Sequence, residues 1–313
     1  MVEPADTAAA AVAPPAQPQP SPQVVARASA LFQEAREAIP LADSQTPLSP
    51  RDQVQAALFY ELAIAELAAV PDRASDDAER AIALVKRLPG GGRDFEFTRE
   101  ATPAAMGRMA KQQIEYDMVR LLAAAGPIPR ARAAAAGADI ERADVYQPVV
   151  LAAPLDQIRE IAMECRRIDG SYPYAAMADR AREIAPQDPA RRTLLDEIYA
   201  AAPNERTFKD RSLALTFIER TYDLVPAMLA AAAVEKLLEG MVAQPAFNET
   251  QADRDLFGPT ILELMTRLDP NRAAAIAQEH PAWETERKQP GRTPFIPVGA
   301  PSGTSFQPSQ TAP

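Results

Sequence analysis

The sequence has little of what disulfide scaffolds and most metal sites need. Its 313 residues include one cysteine, one histidine and one tryptophan. A single cysteine excludes an intrachain disulfide, and one cysteine with one histidine cannot supply the usual four ligands of a zinc site. No apolar run reaches the roughly 18 residues of a membrane-spanning helix, so we expect no membrane span.

Glycine is scarce, with 12 residues, and aromatic side chains make up 6% of the chain. Alanine contributes 65 residues, so much of the 47% hydrophobic content consists of small side chains. Because alanine is the best helix former, and valine and isoleucine form no alternating runs, the composition predicts an all-α protein. We expect stacked antiparallel helical hairpins with thin layers of core between them.

The net charge is −10 at neutral pH. The charges of residues 1–22 and 286–313 cancel, so the acidic excess lies between them. An acidic body disfavours nucleic acid and favours a basic protein partner. Glu3 and Asp6 stand where a secretory leader would carry lysine or arginine, so no leader is recognisable. We expect a cytoplasmic protein, with an exported protein that has lost its leader as the alternative.

Proline-rich segments flank the chain. Residues 1–22 and 286–313 hold six prolines each among small and polar residues, which predicts disordered tails around a helical domain of residues 23–285. Inside that domain, residues 126–151 combine Pro127, Pro129 and the run Val145 to Val150. We interpret this stretch as a broken helix followed by an extended segment, and it is the one candidate for an internal domain boundary.

Apolar periodicity and start signals predict the helices. Several begin with a capping residue followed by proline, as at Asp188–Pro189 and Asp269–Pro270. Ser75 is the expected cap of another. The expected spans are 23–38, 50–69, 75–88, 103–125, 155–168, 173–184, 189–201, 205–225, 227–243, 259–268 and 271–279. Apolar residues on two sides of 205–225 indicate an inner helix, and the nearly all-apolar 227–242 should be largely enclosed.

Three junctions share a pattern in which a helix ends at proline or Asp-Pro and Arg-Ala or Ala-Arg opens the next. They are Val70–Pro71–Asp72 with Arg80–Ala81, residues 185–191, and residues 268–273. On these junctions the chain resembles two-helix repeat proteins of the tetratricopeptide or HEAT kind, and the alanine-rich bacterial helical-repeat proteins without an assigned activity. The resemblance covers about residues 50–279 and implies stacked hairpins with a binding surface.

Candidate chemical groups are few. His280 lacks a partner in sequence, so we expect it to interact with the last carbonyls of its helix. Cys165 shares a stripe with isoleucines, which predicts a buried, inert thiol rather than a nucleophile. The pair Glu160 and Glu164 and the pair Glu235 and Glu239 stand one helical turn apart, a spacing typical of a solvated face. The glycine run 90–92 favours a helix cap over a phosphate loop.

The sequence therefore assigns no catalytic, cofactor-binding or metal-ligating residue. The leading hypothesis is a non-enzymatic helical-repeat protein that binds or scaffolds a protein partner. The alternative is an enzyme or small-molecule-binding protein with a carboxylate and tyrosine pocket between helices, for which Glu235, Glu239, Tyr222 and Tyr174 are the candidates.

Overall fold

A computed structural model of the protein describes residues 21–39, 50–87, 103–140, 142–243 and 251–288. These residues contain fourteen α-helices and no β-strand, so the all-α prediction is confirmed for them. The helices are α1 (Pro22–Ala38), α2 (Pro50–Glu66), α3 (Pro71–Lys86), α4 (Pro103–Ala125), α5 (Ile128–Ala136), α6 (Arg142–Ala152), α7 (Ile158–Asp169), α8 (Tyr174–Glu183), α9 (Pro189–Ala201), α10 (Phe208–Thr221), α11 (Ala227–Ala243), α12 (Gln251–Leu268), α13 (Pro270–Glu279) and α14 (Pro281–Arg287).

The helices stack in two rows. Each even-numbered helix contacts the next even-numbered one, from α2 through α14, so these helices form a continuous row. The odd-numbered helices pack beside this row, and α5 contacts α7 as α9 contacts α11. Such a stack of antiparallel helical hairpins is an α-solenoid-like arrangement, in which each pair buries its apolar face on its neighbours.

Two of the predicted caps are confirmed. The Asp188 carboxylate accepts the amide hydrogen of Ala190 at 2.8 Å, and that of Asp269 accepts those of Asn271 and Arg272 at 3.1 and 3.0 Å. The Ser75 prediction is wrong. Helix α3 begins four residues earlier, at Pro71, and the buried Ser75 hydroxyl donates to the Pro71 carbonyl inside the helix.

The extended segment predicted before residue 151 is also wrong, because the chain forms α5 and α6 there. Pro148 lies inside α6, while Val145, Tyr146, Val149 and Val150 are all fully buried. Helix α6 packs on α4, α5, α7 and α8. Contacts on every side therefore override the local preference of proline and valine for an extended backbone.

The carboxyl-terminal helices differ from the predicted ones in two places. Helix α12 starts at Gln251, eight residues before the predicted start at residue 259. Pro259 therefore lies inside the helix. Beyond α13 the sequence indicated no helix, yet Pro281–Arg287 forms α14, whose Trp283 is buried. Helices α12 and α14 pack together, so a residue without periodic neighbours becomes part of the core.

Helix α10 is an inner helix, as its two apolar stripes predict, with Leu213, Leu215, Phe217 and Ile218 buried. The prediction that α11 is largely enclosed is wrong. Met228 is 83% exposed and Val242 is 60% exposed, and Lys236 and Glu239 are exposed on the same side, so one face of α11 is open to solvent.

Arginines join helices that pack only narrowly. Arg130 on α5 donates to Asp76 and Glu79 on α3, each at 2.7 Å. Arg159 on α7 donates to Glu197 on α9, and Arg272 on α13 donates to Glu235 on α11 at 2.9 Å. Together these pairs tie odd-numbered helices to one another along their row.

The predicted tails fall almost entirely outside the described residues, as does the glycine run 90–92. Ser21 caps α1, and Lys288 follows α14. Within the described ranges, no helix has the length and apolar character needed to cross a bilayer.

Helix α1 is attached by Phe32, which packs against the core, by Arg73 of α3, which donates to the Ser29 carbonyl, and by Arg36. None of its residues is buried, but Arg36 donates to Asp77 on α3 at 3.1 Å and to Glu66 on α2 at 2.8 Å. Both carboxylate side chains are fully buried. Burial and the neighbouring Asp77 raise the pKa of Glu66 above its usual value, while the charge of Arg36 lowers it.

We expect Arg36→Ala to destabilise the protein by about 3 kcal/mol or more, because it leaves two buried carboxylates without their shared cation. Urea unfolding followed by circular dichroism measures this loss. Arg27→Ala, an exposed arginine on the same helix, should change the stability by less than about 0.5 kcal/mol. Equal unfolding midpoints for the two variants would contradict the role of Arg36.

We also expect Gly258→Ala to lower stability by about 1–3 kcal/mol through overpacking. A β-carbon at this buried position of α12 would lie 2.0 Å from Cδ2 of Trp283. Gly240→Ala is the control, since its nearest neighbour would be the Pro203 carbonyl at 3.7 Å. Thermal unfolding should show Gly240→Ala to be neutral or slightly stabilising, because alanine is the better helix former. A stabilised Gly258→Ala variant would rule out the tight contact.

Candidate functional site

A buried carboxylate lies where α7, α8 and α10 approach one another. Glu205 is 3% exposed and follows the short 3-10 turn Ala202–Asn204. Its Oε1 accepts the Tyr174 hydroxyl hydrogen at 2.5 Å and a hydrogen bond from the Arg166 guanidinium. The Arg211 guanidinium donates to the Glu205 backbone carbonyl at 2.9 Å. Both side-chain bonds end on Oε1, so Oε2 receives neither of them.

Local structure brings these residues together. Helix α7 ends at Gly170, whose φ of 85° is a left-handed conformation that glycine adopts without strain. Helix α10 begins with Thr207 as its cap. The Thr207 hydroxyl oxygen accepts the Asp210 amide hydrogen at 3.0 Å, and its O–H donates to Asp210 Oδ2 at 2.6 Å. The end of α7 and the start of α10 therefore border the same space.

A cluster of aromatic rings packs around Tyr174 on the buried side of this site. The ring of Tyr174 lies 5.8 Å from Tyr172 and 5.9 Å from Phe217, and Phe217 lies 5.7 Å from Tyr199, all between centroids. Burial against this cluster raises the pKa of Glu205 to about 7, although the hydrogen bonds from Tyr174 and Arg166 lower it. Burial likewise raises the pKa of Tyr174 well above its usual value.

A pocket of about 430 Å³ opens beside Glu205, and we call it the Glu205 pocket. This volume falls in the range that holds small ligands or single large side chains. Charged side chains and the two helix ends line it. The lining residues are Arg166, Asp169, Gly170, Asn204, Glu205, Arg206, Thr207 and Asp210.

A second concavity adjoins the first. A groove of about 330 Å³ runs between α9 and α11, and we call it the α9–α11 groove. Tyr199, Leu229 and Ala233 supply much of its apolar wall, while Asp196 and Lys236 also line it. Asn204 lines both concavities, so the pocket lined by charged residues and the groove lined mostly by apolar residues meet at the 3-10 turn.

Of the four candidates for a carboxylate and tyrosine pocket, the structure places only Tyr174 at this site. Glu235 pairs with Arg272 on α13, with its two oxygens 2.9 and 3.0 Å from Nε. Glu239 is exposed, and Tyr222 lies in the 3-10 turn after α10. The structure does not bring the four together.

The other carboxylate pair is occupied by an arginine. Arg132 donates to Glu160 at 2.6 Å and to Glu164 at 2.7 Å, and the buried Tyr146 hydroxyl donates to Glu164 at 2.6 Å. Burial alone would raise the pKa of Glu164, but these hydrogen bonds lower it below its usual value. The carboxylates of Glu160 and Glu164 therefore link α7 to Arg132 on α5 and to Tyr146 on α6.

Cys165 is fully buried, as predicted, and its thiol lies 3.5 Å from the Ser171 carbonyl oxygen. His280 departs from the prediction. Its backbone amide donates to the Ile276 carbonyl at 2.8 Å, but its imidazole stacks on Trp283 with the ring centroids 3.9 Å apart. Neither residue lines the Glu205 pocket.

Glu205 and Arg166 were not recognisable as site residues from the sequence. Glu205 stands in the polar run Asn204 to Thr207, where a carboxylate is expected to be solvated. Arg166 directly follows Cys165 in the sequence, and no local pattern indicates its partner. The one available signal was Tyr174, because a buried tyrosine hydroxyl needs a polar partner.

No cluster of three or more histidine, cysteine, aspartate or glutamate side chains suited to a metal occurs among the described residues. No protein-family model matches the chain, and no curated protein or solved structure is significantly similar to it.

The raised pKa of Glu205 predicts how stability changes with pH. Between its usual value of 4.5 and about 7 the folded protein holds a proton that the unfolded chain releases, so stability falls as the pH rises through this window. Glu205→Gln keeps an acceptor for Tyr174 and Arg166 but cannot ionise. We expect its melting temperature relative to wild type to increase from about pH 5 to about pH 8.

Asp156→Asn controls for the loss of a carboxylate, because Asp156 lies in an exposed turn before α7. Its melting temperature relative to wild type should be the same at both pH values. If Glu205→Gln behaved like Asp156→Asn, the pKa of Glu205 would not be raised.

Proposed function

We propose that the chain is a non-enzymatic helical-repeat protein that binds a protein partner, and that the partner binds around Asn204. The observation that carries the proposal is the meeting, at one turn of the stacked helices, of a pocket lined by charged residues and a groove lined mostly by apolar residues. Stacked hairpins are used in this way by helical-repeat proteins, whose neighbouring helices together form extended binding surfaces.

Exposed apolar surface next to the groove supports a macromolecular ligand. Leu229 lines the groove, and the preceding residue Met228 is 83% exposed at the start of α11. Methionine is common at binding surfaces because its flexible side chain adapts to different partners. An exposed apolar residue beside a concavity is typical of an interaction surface when the two are contiguous.

Affinity capture with the full chain as bait tests this proposal. Ala232 lines the groove and is exposed, so Ala232→Gln should fill part of the groove without disturbing the core. Ala83→Gln is the matched control on an exposed position of α3. Quantitative mass spectrometry should find a stoichiometric partner with wild type and Ala83→Gln that Ala232→Gln retains in much smaller amount.

Two outcomes count against this function. One is that no protein is recovered at a stoichiometric level by the wild-type chain. The other is that each recovered protein is retained equally by Ala232→Gln, which would move the binding surface away from the groove.

A second candidate function is an enzyme that uses Glu205 as a general acid or base. The observation in its favour is the pKa of about 7 of Glu205 beside a pocket, since a catalytic carboxyl group works best with a pKa near the operating pH. Intact-mass spectrometry of the captured partner after incubation distinguishes the two candidates. A mass change that Glu205→Gln abolishes would favour the enzyme, and an unchanged mass favours the binding protein.

A further inference from the structure

The Glu205 pocket has an excess of negative charge. Asp169, Glu205 and Asp210 face two guanidinium groups, those of Arg166 and Arg206. Arg166 already donates to Glu205, and Arg206 is exposed. Above the pKa of Glu205, at about pH 8, all five groups are ionised and the lining carries a net charge of about −1. A cationic group is therefore the ligand that neutralises it.

The helix ends at the pocket have the same preference. Asp169 and Gly170 close α7, and the carboxyl end of a helix carries partial negative charge on its unpaired carbonyl groups. At the amino end of α10, where an anion would otherwise bind, the Thr207 hydroxyl already accepts the Asp210 amide hydrogen, and the Asp210 carboxylate accepts the Thr207 hydroxyl hydrogen. The pocket thus favours a cation over a phosphate or a free carboxylate.

The neighbouring groove distinguishes a peptide from a small free cation. The α9–α11 groove meets the pocket at Asn204 and is lined by Tyr199, Leu229 and Ala233. A small cation would fill the pocket and leave this groove open. A peptide with an apolar side chain close to a basic one would fill both concavities at once, which is how side-chain pockets give specificity in peptide recognition.

We infer that the surface around Asn204 binds a segment of a partner protein with a lysine or arginine near an apolar residue. The basic side chain enters the Glu205 pocket, and the apolar side chain enters the α9–α11 groove. This inference rests on the proposed function and adds the chemistry of the segment. The acceptors for the basic group are the carboxylates of Asp169 and Asp210 and Oε2 of Glu205, the oxygen that receives neither the Tyr174 nor the Arg166 bond.

Fluorescence anisotropy with short labelled peptides at about pH 8, where Glu205 is ionised, tests the inference on the full chain. Three peptides carry one leucine and one arginine separated by zero, one or two glycines. Counterparts replace the arginine with glutamate or the leucine with serine. We expect at least one spacing to bind, both counterparts to bind more weakly, and the affinity to fall as salt rises.

Variants that change the charge of the pocket test whether it prefers a cation or an anion. Asp169→Asn and Asp210→Asn each remove one negative charge but keep an oxygen acceptor for the Ala143 amide and the Thr207 hydroxyl, respectively. Each should weaken the leucine–arginine peptide about threefold, as expected for one partly screened charge. Arg206→Gln removes an exposed positive charge and should strengthen the same peptide by a similar factor.

Asp156→Asn is the control at the opposite end of α7 and should leave the affinity unchanged. Ala232→Gln should weaken the leucine–arginine peptide but not the peptide in which serine replaces leucine. These two variants separate an effect at the site from a general change in net charge.

The inference is overturned if the glutamate peptides bind at least as tightly as the arginine peptides. It is also overturned if Arg206→Gln weakens binding while Asp169→Asn strengthens it, since the pocket would then prefer an anion. In either case a captured partner that depends on Ala232 would still uphold the proposed function, so the two can fail separately.

Discussion

Ion pairs between arginines and carboxylates on different helices are the constraint on which the arrangement of this protein depends. Alanine-rich helices bury little apolar area per turn, so each contact between two helices contributes little hydrophobic stabilisation. An exposed pair contributes only about 0–1 kcal/mol, but a bidentate and partly buried pair is stronger and also fixes geometry. Arg132 and Arg272 each join two odd-numbered helices through a partly buried pair, and Arg159 joins α7 to α9 through a more exposed one, so these pairs order helices that make few other contacts.

The candidate site uses the same chemistry in a different setting. At Arg166 and Glu205 the pair lies against an aromatic cluster, so the carboxylate is almost fully buried rather than solvated. The 3-10 turn Ala202–Asn204 separates α9 from α10 and leaves space on both sides of Asn204. A structural ion pair thereby becomes the wall of a pocket, and the pKa of Glu205 rises because water is excluded from one side.

Features that depend on neighbours in sequence were predictable. The caps at Asp188 and Asp269 were recognisable because capping chemistry acts within three residues. Features that depend on neighbours in space were not. Val145 to Val150 has a local pattern typical of an extended segment, yet it forms the buried helix α6 because four other helices surround it.

The sequence by itself determined the all-α class, most helix positions and the burial of Cys165, because periodicity and capping act over a few residues. Tertiary structure alone decided which carboxylates pair with arginine and which one lines a pocket. Glu205 is buried by Tyr174 and Arg166, which lie 31 and 39 residues away along the chain. No local pattern carries that information, since the desolvation of a charge depends on every element that packs around it.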